Sequence, residues 1–327
     1  MSLKDAFKNA AVKTGSFLWD NIRGGNLTLR DAIEKHDWEK AGGLLQQNPA
    51  AADWDLEDAS PIKRKPLHVA AAAGEFNIFT ILLRPEFFKG DIDVRDSQGA
   101  TPLIHAAREG HDLIVKALIA KGADVNAVDH LGRSALGCAA QYNRIVCLQL
   151  LLDQGAAING PKDSRNPLNE AARAGYCRPA VKALIARGAD PDYIGQLKES
   201  PLETCLREHN IEGAIELLQA GANPNNRNPE TGAKLLQWAI AINHAAAMKM
   251  LLDGGADPLL PVGEEVPLSP LEYMAKHQGK VDDAIKKMVI ERVARIELER
   301  NMAGVEKSMA AGTSARIAIK PIKLRLS

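Results

Sequence analysis

The stretch that decides the fold runs from Asp96 to Asp129 and reads DSQGATPLIHAAREGHDLIVKALIAKGADVNAVD. Thr101 is a good helix N-cap, because its hydroxyl can accept from an otherwise unpaired first-turn amide. Pro102 follows at the first helical position, where its missing N–H costs nothing. Leu103, Ala106 and Ala107 give this short helix a narrow apolar face, and the small alanines let a neighbouring helix come close. Gly110 ends it, since glycine enters the left-handed conformation cheaply. Ile114, Val115, Ala117, Leu118 and Ile119 form the apolar face of a second helix, which Gly122 terminates. From Asp124 to Gly132 the spacing predicts an extended turn that leads to the next cap. A helix, a turn, a helix and a projecting hairpin cannot hide their apolar side alone; several such units can.

The unit recurs. Proline followed by leucine stands at Pro66, Pro102, Pro167, Pro201 and Pro270, with degenerate copies at Ala135 and Leu235, in steps of 36, 33, 32, 34, 34 and 35. A glycine–alanine landmark falls at Gly122, Gly155, Gly188, Gly221 and Gly255, in steps of 33, 33, 33 and 34. A fixed period in this range means stacked units rather than one globular core. The cap recurs with it, as Asn166, Ser200 and Ser269, and Ser134 keeps it where the proline is lost.

These residues closely resemble the ankyrin repeat, whose pattern is roughly D-x-x-G-x-T-P-L-H-x-A-A, then G-H-x-x-I-V-x-x-L-L, then G-A-D-x-N. DSQGATPLIHAA, GHDLIVKALI and GADVNA follow it almost throughout. The resemblance implies an all-α ankyrin-repeat solenoid of helix-turn-helix units with short β-hairpin loops. It covers about residues 29–290: a divergent unit near Leu29 to Ala52, six clearer units starting near residues 60, 96, 129, 161, 195 and 229, and a closing unit near 264. Departures are informative. Ile104 replaces the usual histidine, and His105 sits one place later. Lys65 and Lys234 replace the cap residue. The longer stretch from Arg84 to Val94 accounts for the 36-residue step.

The ends of a stack need covering. Residues 1–28 are expected to form an N-terminal helical cap, with Trp19 and Trp38 sealing that side. At the other end Val281, Ile285, Met288, Val289, Val293 and Ile296 follow helical spacing, with Glu291, Arg292, Arg295 and Glu299 expected to face water. Residues 291–327 are expected to be a helix extension and a basic, disordered tail. That tail, from Gly312 to Ser327, carries Arg316, Lys320, Lys323 and Arg325 and no acid. A docking peptide and a C-terminal export signal are the alternatives for it.

Composition narrows the function. The chain of 327 residues has 41 basic and 41 acidic side chains, which argues against a protein built to coat nucleic acid or an acidic membrane. Few aromatics are present for base stacking. No apolar run reaches membrane-spanning length. The four cysteines, Cys138, Cys147, Cys177 and Cys205, lack zinc or redox spacing and read as reduced thiols in a cytoplasmic chain. No hydrolase, metalloprotease, phosphate-loop or dinucleotide motif stands in a suitable context. Cys138 and His105 hold equivalent positions in successive repeats, and repetition explains their placement better than a nucleophile pair. Neither a catalytic group, a metal nor a cofactor is expected.

The resemblance implies that partners meet the hairpin tips and the exposed side of the first helix. Six residues after the proline position stand Arg108, Gln141, Arg173 and Arg207. Two before it stand Arg64, Arg133 and Arg165. Neighbouring positions add Arg95, Gln98, His130, Tyr142 and Lys162. The stripe is mostly basic, diluted by Glu109, Glu199 and Glu208. The expectation is a monomeric, non-enzymatic scaffold or adaptor whose basic concave surface binds an acidic or phosphorylated protein partner, with Leu131 and Tyr142 as anchors. A bacterial effector secreted into a host cell, and a regulatory subunit of an enzyme, are the alternatives.

Overall fold

The computed structural model describes residues 32, 37–47, 65–85, 90–174, 178–226, 235–241, 243–259, 269–276 and 281–310. The expected N-terminal cap with Trp19, the Trp38 side chain, Arg64 and the tail beyond Ala310 lie outside the described residues. Among the described residues the chain is helical, in short pairs as the spacing predicts. The helices are α1 (Trp38–Gln47), α2 (Pro66–Ala73), α3 (Phe76–Leu82), α4 (Pro102–Glu109), α5 (Asp112–Ala120), α6 (Ala135–Gln141) and α7 (Ile145–Asp153). They continue as α8 (Pro167–Arg173), α9 (Arg178–Ala186), α10 (Pro201–Arg207), α11 (Ile211–Gln219), α12 (Leu235–Ala241), α13 (Ala245–Asp253), α14 (Pro270–Lys276) and α15 (Asp283–Ala310). Two compact units result, Met1–Ala139 with Val146–Ala156, and Ala140–Ile145 with Ala157–Ser327.

In the first unit the Thr101 hydroxyl accepts from the Ile104 amide at 3.4 Å, and Pro102 opens α4. Ser134 does the same for Gly137 at 3.1 Å. Where Lys65 replaces the cap, no side chain takes its place on the first-turn amide; the ring of His68 instead reaches back, its Nδ1 accepting from the Lys65 amide at 3.1 Å, the other half of a capping box. Gly110 closes α4 at φ 89°, a left-handed position that a Cβ would disfavour. Each pair buries one side. Leu103, Ala106 and Ala107 of α4 and Ile114, Val115 and Leu118 of α5 are all sealed from solvent. Alanines at the first-helix contacts let α2 pack on α4 and α4 on α5. Leu118 is fully buried, which contributes roughly 2 kcal/mol.

Projecting turns are held by carboxylates and amides rather than by strand ladders. Asp93 accepts from the Asp124 amide with both oxygens, at 3.1 and 2.9 Å. Asp96 Oδ1 accepts from the amides of Gln98 and Ala100, each at 2.9 Å. Asp129 repeats that pattern one unit later, on the amides of Leu131 and Arg133. Among the described residues the hairpin pairing reduces to one isolated antiparallel bridge, Val128 with Ser134.

The second unit uses the same parts. Asn166 caps α8 through the Leu168 amide at 2.9 Å, and Ser200 caps α10 through the Glu203 amide at 3.2 Å. Ser269 and Glu272 form a reciprocal box at the start of α14. The turn contacts recur as Asn159 to the Asp190 amide, Asp192 to the Asn223 amide and Asn225 to the Asp257 amide. Helix α15 packs on α13 and buries Ile285, Val289, Val293 and Ile296, so its apolar spacing covers that end of the unit as expected. Glu291, Arg295 and Glu299 face water; Arg292 does so only in part, its Nε being buried. No helix among the described residues is long and apolar enough to cross a membrane.

Candidate interaction surface

The basic positions read from the repeat divide into arginines committed to internal bonds and arginines that keep donors. In the first unit Arg95 is committed. Its Nη1 donates to the carbonyls of Gly99 at 2.9 Å and Val128 at 2.6 Å, which ties two successive turns. Arg133 is committed too. Its Nε and Nη2 reach Asp129 Oδ2 at 2.8 and 2.7 Å, a fork on a buried carboxylate. Charge reversal at Arg133 would therefore set a glutamate against Asp129 and test the fold before it tests a partner. Arg108 is half-buried and hydrogen-bonds the Cys138 thiol.

Around these arginines lie exposed groups. Gln98 and His130 are at the surface, and the His130 amide donates to the Gln98 carbonyl at 2.9 Å. The His130 ring lies over Gly99, where a Cβ would come within 2.4 Å of it; Gly99 also sits at φ 74°. Leu131, between His130 and Gly132 in the same turn, is 51% exposed.

In the second unit Tyr142 is 46% exposed at the end of α6, next to half-buried Gln141, and Lys162 is exposed in the turn before α8. Arg165 and Arg173 flank Glu170, which is wholly buried on α8. Arg165 Nη1 donates to Glu170 Oε1 at 3.4 Å, and Arg173 Nε stands 3.8 Å from the same oxygen. Arg207 is bound by Glu199 and by Glu208. Asn169, beside Glu170, donates to the Glu199 carbonyl and to Thr204 Oγ1.

Two buried groups escaped the sequence reading. His105 Nε2 donates to Asp96 Oδ2 at 2.9 Å, and both side chains are sealed. Burial pushes the Asp96 carboxyl up, but His105 and the Ala100 and Gln98 amides outweigh it and hold the group down to about 2. His68 stands at right angles to His105, ring centres 5.7 Å apart, with its Nε2 near the carbonyls of Val94 and Ala100. His105 and Cys138 thus each have their own neighbour, Asp96 and Arg108. Burial pushes the Cys138 thiol up, although Arg108 and Arg133 pull the other way. The described residues hold no group of three or more histidines, cysteines or carboxylates that could bind a metal. A glutamate at the third residue after Pro167 was the available signal for Glu170, because His105, Cys138 and Thr204 fill that place elsewhere and are buried.

Comparison with known proteins gives the arrangement its relatives. A family model described as ankyrin repeats (3 copies) matches residues 32–129 and 113–194. The ankyrin repeat protein nuc-2 of Neurospora crassa is 28% identical over 234 residues, 71% of this chain and 21% of its own length. Neurogenic locus notch homolog protein 1 of Homo sapiens is 39% identical over 148 residues, 45% of this chain and 5% of its own. The matched region is thus about a fifth of one relative and a twentieth of the other. The crystal structure of the human ASB11 ankyrin repeat domain superposes with a TM-score of 0.57 at 23% identity, covering 70% of this chain and 98% of that one, a likeness of fold. Ankyrin repeats are in general modules of protein–protein interaction, and the family is typically non-enzymatic. With its capped helix pairs, its regular turns and these matches, the chain belongs to the ankyrin repeat family.

Proposed function

We propose that this chain is a non-enzymatic scaffold or adaptor that binds an acidic or phosphorylated protein partner through the turn tips and first helices of its repeats. One observation carries the reading. Large apolar side chains, Leu131 and Tyr142, stand about half exposed at positions where the repeats also concentrate basic groups. Neither exposure serves the core. A half-exposed leucine or tyrosine in turns and first helices that also carry arginines has the composition of an interface centre, where aromatic and apolar anchors hold and charge orients.

The test is affinity capture with mass spectrometry, native chain against Leu131→Ala and Tyr142→Ala, each at low and high salt. A partner that weakens with either substitution and with salt supports the reading. Capture that is indifferent to both substitutions and to salt removes it.

A further inference from the structure

Building on that reading, we infer that the second unit holds a receptor for a single carboxylate: Arg165 and Arg173, set on Glu170, take one Asp or Glu side chain of a partner and select against a phosphoryl group.

The arginines of the repeats differ in the hydrogen-bonding capacity they have left. Arg95 spends its donors on two carbonyls, Arg133 on Asp129, and Arg207 on Glu199 and Glu208. Arg165 and Arg173 share one oxygen of Glu170, at 3.4 and 3.8 Å. Charge-assisted bonds between such groups close to about 2.7–2.9 Å when they are fully made. These two contacts are therefore held by charge, with donors to spare. The other oxygen, Glu170 Oε2, has no hydrogen-bond partner among the described residues, and neither does Nε of Arg165 or Arg173; all three atoms are buried. The two arginine side chains keep 18% and 29% exposure. With Nε buried, an approaching ligand meets the terminal nitrogens, the ends of two planar forks.

Glu170 gives these forks their position and sets their charge. A buried carboxylate is tolerable only beside cations, so it draws both guanidinium groups to one place on α8. Their ordering is then complete before a ligand arrives, which removes a cost that flexible surface arginines would bear on binding. Two cations and one anion leave one net positive charge. A single carboxylate matches that. A phosphoryl group carries about −1.5 to −2 and would bring its excess charge beside Glu170, where like charges repel.

The test uses the labelled full-length chain on an array of short random peptides in three matched sets: one bearing Asp or Glu, one bearing phosphoserine in its place, one neutral. The native chain is expected to favour the carboxylate set. Arg173→Gln should lower that binding about tenfold or more, the scale of one lost hydrogen bond to a charged group. Arg173→Lys, which keeps the charge but loses the fork, should fall between the two. Glu170→Gln should move the preference toward phosphoserine. Arg178→Gln, an exposed arginine on α9 paired with Glu216, is the control and should change nothing. Thermal melting by circular dichroism confirms that each variant is folded; if Glu170→Gln is not, the two Arg173 variants decide. A native preference for phosphoserine, or carboxylate binding indifferent to Arg173, overturns the inference and leaves the wider reading standing. Binding that ignores acidic groups altogether, or no binding to any set, counts against both.

Discussion

Acidification should loosen the first unit through His68, at a higher pH than the window in which Asp96 acts. The ring is fully buried. Its Nδ1 accepts from the Lys65 amide, which leaves Nε2 as the N–H that serves the carbonyls of Val94 and Ala100 at 3.0 and 3.2 Å. A proton added at Nδ1 would face a donor. Burial first, then neighbouring His105, lower the pKa to about 4, against the opposing pull of Asp96 and the two carbonyls. The folded value thus lies below the unfolded one of 6.5. As pH falls from 6.5 toward 4 the unfolded chain takes up a proton that the folded chain refuses, so stability falls across that window. At about 1.36 kcal/mol per pKa unit the full loss is roughly 3 kcal/mol. Asp96 acts in a separate window: its depressed carboxyl stabilises the fold above 3.8, and this is lost as pH drops toward 2. The assay is urea unfolding followed by circular dichroism at several pH values between 7 and 4, native against His68→Gln, with the ring's protonation followed by NMR. The variant should start less stable and lose less on acidification. Equal slopes in the two chains, or a His68 ring that protonates near 6.5 in the folded chain, would refute the reasoning.

Other outcomes follow from single contacts. Gly99→Ala and Gly122→Ala both place a Cβ at positive φ, each costing about 1–2 kcal/mol, but only at Gly99 does the Cβ meet a ring, that of His130; melting temperature should therefore drop further for Gly99→Ala. Asp192→Ala removes the acceptor of the Asn223 amide, so that amide should lose hydrogen-exchange protection while amides inside α11 keep theirs. Cys138, Cys147 and Cys205 are buried, and burial pushes Cys205 up to about 12; a thiol reagent at mildly alkaline pH should label these three only after denaturation, as mass mapping would show.

The repeat and its caps were legible because they rest on short-range rules. Thr101, Pro102 and Gly110 each satisfy or end a helix by their own chemistry, and the structure uses all three so. The roles of the charged residues were not legible, because they depend on what lies across the turn or in the next repeat. Arg133 and Arg95 read as surface arginines, yet one grips buried Asp129 and the other two turn carbonyls. Arg292 read as exposed and is buried at its Nε, since helix spacing places it at the edge of the apolar stripe. His105 looked like a misplaced consensus histidine; its meaning lies in Asp96, nine residues earlier. Lys65 looked like a missing cap and is one, yet its own amide is met from within the helix by His68.

The central claim is that a partner protein sits on the turn-tip and first-helix side of the repeats. It is tested most directly by placing a photo-crosslinking residue at Leu131 or, separately, at Leu113, which is 54% exposed on second helix α5. Both sites are open, both belong to the first unit, and they differ in the element that carries them. The account predicts that a partner protein is trapped through position 131 and not through position 113. Trapping through position 113 alone would place the interface on the second helices and contradict it.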